Sequence, residues 1–91
     1  MDDQLVLQFR GGSMPNFNAL IALEDALISE LGDSANVDEY DIGAGVVNIF
    51  IITSVPEQTF QQIRPILERE QRLQAVTVVY RRLDGEQFTV V

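Results

Sequence analysis

Residues 37–53 read VDEYDIGAGVVNIFIIT, and this stretch decides the fold. Val37 to Ile42 has the composition of a polar strand, and Gly43-Ala44-Gly45 is a hairpin signal. Val46 to Thr53 follows almost wholly apolar, interrupted by Asn48. A strand without polar alternation is one covered on both faces, which puts it centrally in its sheet. The segment therefore reads as an acidic outer strand turned back onto a buried inner one.

Toward the N-terminus, Gln4 to Arg10 alternates. Leu5, Leu7 and Phe9 take one face, Gln4, Gln8 and Arg10 the other, and only Val6 breaks the polar row. Gly11 and Gly12 end that strand, Ser13 can cap a helix, and Pro15 fits its first turn. The helical pattern runs to Leu31 and stops at Gly32, a natural residue just past a helix end. Toward the C-terminus, Ser54-Val55-Pro56-Glu57 fits a capping box. A second helix then carries Phe60, Ile63, Ile66 and Leu67, with Pro65 expected on its outer side at a bend. Gln74 to Arg82 reads as a strand, and Asp84-Gly85 turns it into a last strand over Phe88 to Val91.

The order is strand, helix, strand, strand, helix, strand, strand. Its first six elements make the split βαββαβ unit of ferredoxin-like folds, to which a C-terminal strand is added. Right-handed crossovers place both helices on one face of an antiparallel sheet. The expected class is an α+β sandwich, one domain over residues 1–91. Its expected core is Leu5, Leu7, Phe9, Leu20, Leu27, Ile49, Ile51, Phe60, Ile63 and Leu67. A hydrophobic fraction of 46% suits a packed domain and excludes a disordered chain.

Composition excludes more than it suggests. There is no Cys, His, Lys or Trp, and all six basic residues are arginine. That removes the usual ligands of zinc and haem, thiol chemistry, Schiff bases and histidine-based triads, so no cofactor or metal is expected. The net charge is -8, unevenly spread. Residues 1–60 hold ten acids and Arg10, whereas residues 61–91 hold four acids and five arginines. Phosphate backbones are bound through clustered Lys and Arg, so a nucleic-acid partner is not expected. Asp2 and Asp3 stand where a signal peptide has basic residues, and no apolar run is long enough to span a bilayer. A cytoplasmic chain without a membrane partner is the expectation.

Few residues stand out as candidates. Glu24 falls near the middle of the first helix's apolar arc of Phe17, Leu20, Ile21, Leu23, Leu27, Ile28 and Leu31. A carboxylate there has to be paired, protonated or turned to the rim. Arg10 is its first expected partner, then Arg81 or Arg82. Asn48, an amide among Val46, Val47, Ile49 and Phe50, needs hydrogen-bond partners where it is buried. Arg10-Gly11-Gly12-Ser13 joins a strand to a helix N-terminus, where free N–H groups attract anions, but it is neither G-x-G-x-x-G nor a P-loop. Asp33, Asp38, Glu39 and Asp41 lack the spacing of a calcium loop. They read as a solvated acidic edge, which also discourages strand-on-strand aggregation.

Three resemblances add to this reading. In ferredoxin-like topology, acylphosphatases use an arginine in the first loop and an asparagine on the third strand, positions that Arg10 and Asn48 match. That family's longer glycine-rich loop and its Asn-x-x-Asp-Gly run are missing. Residues 38–51 also resemble a small uncharacterised bacterial family with an Asp-x-x-Asp-x-Gly-x-Gly hairpin followed by Asn-Ile-Phe-Ile. In that family a Glu often follows the second glycine, where this chain has Val46. The resemblance implies no activity. At the level of topology the chain also looks like small-ligand regulatory modules of the ACT type.

The sheet face without helices carries the functional expectation. If Val47, Ile49 and Ile51 face the helices, then Val46, Asn48, Phe50 and Ile52 face away. Val6 joins that patch, and Gln8 with Asn48 supplies polar anchors. The expected function is a non-enzymatic binding or regulatory module working through this face, with Arg10, Glu24, Asn48, Phe50 and Ile52 as candidate binding residues. A homodimer or another protein partner is expected, and a small-molecule ligand is the other occupant considered. An acidic, immunity-type inhibitor of a basic bacterial toxin is the first alternative, and acylphosphatase-like hydrolysis the second. Phe88 and Val90 of the C-terminal hairpin are the residues of the same chain that could shield the patch.

Overall fold

The computed structural model describes residues 2–10, 17–43, 45–70, 73–83, 85 and 87–90. The strands are β1 (Asp3–Arg10), β2 (Asn36–Gly43), β3 (Val46–Thr53), β4 (Val76–Arg82) and β5 (Thr89–Val90), and the helices are α1 (Phe17–Leu31) and α2 (Pro56–Arg69). A single 3-10 turn, Leu73–Ala75, enters β4. Its Gln74 and Ala75 are residues that the sequence assigns to the strand itself. The expected cap of α1 at Ser13 and Pro15 lies outside the described residues.

The five strands form one antiparallel sheet in the order β2-β3-β1-β4-β5, with both helices on one face, an α+β fold. The first four strands follow the expected βαββαβ pattern. Added beside β4, β5 makes the order depart from a strict ferredoxin-like sheet. β1 has two long neighbours, pairing with β3 from Asp3–Thr53 to Arg10–Val46 and with β4 from Asp3–Arg82 to Phe9–Val76. Leu5, Leu7 and Phe9 are fully buried beneath the helices, as are Ile49 and Ile51 of β3. From the helices, Leu20, Leu23, Leu27, Ile63 and Leu67 close over them. Phe60 is half-buried and packs against this core from outside.

The turns follow their glycines. Gly43 and Val46 close the β2–β3 hairpin, where Gly45 takes φ +79, a left-handed conformation that glycine adopts without a Cβ penalty. Gly32, at φ +52, ends α1 and donates its N–H to Ile28 O at 3.0 Å. In the last hairpin, Val79 faces Val90 and Tyr80 faces Thr89. The turn expected at Asp84-Gly85 includes residue 84, which lies outside the described residues. Gly85 N–H donates to Arg82 O at 2.9 Å.

The start of α2 differs from expectation. Val55, not Ser54, is the cap residue, Pro56 takes the first helical position, and no side chain caps the helix. Thr53 supplies the polar contact instead. Its buried hydroxyl accepts the Val55 N–H at 3.1 Å and lies 2.7 Å from the Thr59 hydroxyl, also buried. Thr53 thus takes the N–H of the cap residue, one of the two that a capping box satisfies, and the helix itself starts without a side-chain cap. Pro65 is inside α2 and exposed, as its missing N–H favours. Among the described residues, no helix is long and apolar enough to cross a membrane.

β2 carries a bulge between Val37 and Glu39. Strict alternation would place Val37 with Glu39 and Asp41. The extra residue lets Val37 pair with Ile51 and Tyr40 with Ile49, so both pack toward the helices. Glu39 and Asp41 then pair with Phe50 and Asn48 and lie on the opposite face.

Candidate functional site

The open face of the sheet is built by parity from the buried one. Because Leu5, Leu7 and Phe9 point to the helices, Gln4, Val6, Gln8 and Arg10 point away. The register carries this across the sheet. Val6 lies between Phe50 and Val79, Gln8 between Asn48 and Thr77, and Gln4 between Ile52 and Arg81. Val6, Gln8, Asn48, Phe50, Thr77 and Val79, with Phe88 beyond β4, line a groove of about 380 Å³.

Its floor is apolar. Val6, between Phe50 and Val79, is only 7% exposed, while Phe50 and Val79 are half-buried. One end is polar, where Gln8 and Thr77 are exposed beside Asn48. The Asn48 Oδ1 is buried and has no hydrogen-bond partner among the described residues. A buried carbonyl oxygen without a donor is costly, and here it stands in the wall of a groove.

The other end is cationic. Arg81 donates from Nε to Gln4 Oε1 at 3.1 Å and from Nη1 to Gly85 O at 2.8 Å. Its guanidinium sits 5.7 Å from the centre of the Phe88 ring, within the range of a cation–π contact. Phe88 is 54% exposed, and Val90 is more exposed still. Among the described residues of the C-terminal hairpin, Phe88 lines the groove.

Of the expected binding residues, Asn48 and Phe50 come together in the groove. Ile52 shares their face one pair further on, beside Gln4. Arg10 also shares it, pairing with Val46 one pair beyond Gln8–Asn48. The loop that would complete an anion cradle next to Arg10 lies outside the described residues. Glu24 is elsewhere. It belongs to α1, on the other side of the sheet. Thr77, Val79 and Arg81 are site residues that sequence reasoning missed. The run Val76-Thr77-Val78-Val79 is apolar on both faces, so alternation alone cannot assign them.

Glu24 also departs from its expected pairing. Arg10 points away from α1, and Arg81 is held by Gln4 and Gly85. Among the described residues the ion pair is Arg64–Glu68, at 3.2 Å on exposed α2, and none involves Glu24. The helix has instead rotated. Leu20, Leu23, Leu27 and Leu31 are buried, whereas Phe17 and Ile28 are 53% and 48% exposed. Glu24 thereby moves from the middle of the apolar arc to its half-buried rim.

Burial, then the neighbouring Asp25, raises its carboxyl above the ordinary 4.5. A folded-state value above the unfolded one favours the protonated fold. This contribution is complete at acid pH and lost as pH rises through the raised value. Glu24→Gln is therefore expected to gain thermal stability over the parent at neutral pH. The gap should close as pH falls below the ordinary carboxylate range. Melting curves of both proteins across that range check this, and a gap that widens on acidification would contradict it.

On the helix side, Tyr80 donates its hydroxyl to Glu57 at 3.1 Å. That hydrogen bond, then burial and the negative charge of Glu57, raises the phenol above its usual value. No family model, curated protein or solved structure matches the chain.

Proposed function

We propose that the chain is a non-enzymatic binding module whose working surface is the open face of its sheet. The observation that carries this reading is the groove between β3, β1 and β4, with an apolar floor, a buried acceptor at Asn48 and a wall held by Arg81. Antiparallel sheets that meet water on one side usually alternate to polar residues there. This one keeps Val6, Phe50, Ile52 and Val79 on that side, as a sheet does when something packs against it. The residue inventory supports a binding role over catalysis. The groove is lined by apolar side chains, amides and a threonine, with no nucleophile–base pair in reach of one another.

Thiol protection tests the proposal directly, because the chain has no cysteine of its own. Thr77→Cys puts a thiol on the exposed margin of the groove, and Gln61→Cys puts one on the exposed surface of α2. In extracts of the cells that naturally make the protein, Thr77→Cys should be alkylated about tenfold more slowly, while Gln61→Cys reacts at the rate of a free thiol. Equal rates at the two positions would overturn the reading.

A further inference from the structure

We infer that the occupant of the open face is a second copy of this chain, docked face to face about a twofold axis that runs along the strands. This inference rests on the binding reading above and adds the partner and its geometry. Two independent features of the face point to it.

The first is the distribution of charge. On this face the β2 flank carries Glu39 and Asp41, both exposed. The β4 flank carries Arg81, whose hydrogen bonds among the described residues go to neutral oxygens of Gln4, Arg82 and Gly85. Face-to-face contact of identical surfaces requires the twofold axis to lie in the interface plane. An axis across the strands would set β2 against β2, acid upon acid. An axis along the strands exchanges the flanks instead, so the acids of each β2 come over β4 and β5 of the other copy. Arg81 then lies two residues along the strand, about 7 Å, from the level of the opposing Glu39, since Arg81 pairs beside Gln4 and Glu39 beside Phe50 in the register. Complementary fields of this kind fix orientation in an interface, and like charges exclude the alternative. Aligned stacking of two sheets about 10 Å apart is an ordinary mode of packing.

The second feature is the orphaned oxygen. Under the same axis β3 lies over β1 or β4 of the partner, at an unchanged level along the strands. Asn48 shares its level with Gln8 and Thr77. Either of those side chains, arriving from the second copy, brings an N–H or O–H donor to the Asn48 Oδ1 that has none among the described residues. One operation therefore covers the apolar floor, turns the acids of β2 toward the flank of Arg81 and brings a donor to Asn48, while the two Arg10 side chains come to the same level near the axis.

Sedimentation equilibrium of the purified full chain over a wide concentration range reads the first part, and charge variants read the axis. The wild type should dimerise, and Phe50→Asp should be monomeric. Glu39→Arg and Arg81→Glu should each weaken the dimer about tenfold or more, and the double variant should recover most of that loss. Glu39 is exposed, so Glu39→Arg keeps the test valid where Phe50→Asp fails to fold. Tighter association of Glu39→Arg would overturn the axis along the strands, because relief of repulsion is what the crossed axis predicts. A dimer that a folded Phe50→Asp leaves intact would place the contact elsewhere. A wild type that stays monomeric would overturn the inference. If Thr77→Cys is still protected in extracts, the binding reading stands with another occupant. If it is not, both fall.

Discussion

Leu7→Ala is expected to lower the unfolding free energy by about 2–5 kcal/mol, the range for leucine truncations that leave a cavity. Leu7 lies at the middle of β1, between Ile49 and Val78, and is completely buried beneath the helices. Neither neighbouring strand can close in to fill the space, because the ladders on both sides of β1 hold their spacing. Domains of this size are marginally stable, so the variant should melt well below the parent or fail to accumulate. Phe17→Ala is the control. Its ring is larger, but it is 53% exposed and meets Tyr40 edge-on at 5.9 Å. Its loss should cost distinctly less, of the order of an exposed aromatic pair, about 0.5–1.5 kcal/mol. Urea melts of the two variants decide the matter. Equal losses would mean that the core does not sit between the helices and β1.

Thr59→Val is expected to cost about 1–3 kcal/mol although it keeps the volume of the side chain. Either hydroxyl can donate in the Thr53–Thr59 contact, and the Thr53 oxygen also accepts the Val55 N–H. Removing the Thr59 hydroxyl takes that partner from Thr53 where both residues are only 3% exposed. Thr53→Val combined with Thr59→Val removes both polar groups together, and the exposed Val55 N–H can turn to water. The double variant should therefore be more stable than the sum of the single losses implies. Additive losses in the same melts would show that the two hydroxyls do not depend on one another.

Much of the architecture was legible because short-range signals agreed with one another. The alternation of Gln4 to Arg10, the unbroken apolar run of Val46 to Thr53 and the glycines at 32, 43 and 45 all follow from local chemistry. The open face was legible by the same means. Once Ile49 and Ile51 are assigned to the core, strand parity leaves Asn48, Phe50 and Ile52 on the far side, and β1 places Val6 and Gln8 next to them. Period identifies an element and its turns without any knowledge of what it packs against.

Phase is different, and the tertiary structure decided it. The apolar arc of α1 is wider than the surface it covers, so the sheet selected Leu20, Leu23, Leu27 and Leu31. Phe17 and Ile28 were left outside and Glu24 went to the rim. The β2 pattern contains an inward pair, Val37 and Tyr40, three residues apart. No unbroken strand can satisfy that spacing, and the bulge that resolves it exists only because β3 holds the register. Val76 to Val79 is apolar on both faces, so its pairing with β1 alone assigns Thr77 and Val79 to the groove. Thr53 and Thr59 carry no sequence signal as a pair. Their hydroxyls meet at 2.7 Å because the turn from β3 into α2 brings them together. Sequence by itself determined which segments are helices and strands and which face of the sheet would be open. Contact between those segments determined how each is rotated, because rotation is chosen by the surface opposite and that surface is distant in the chain.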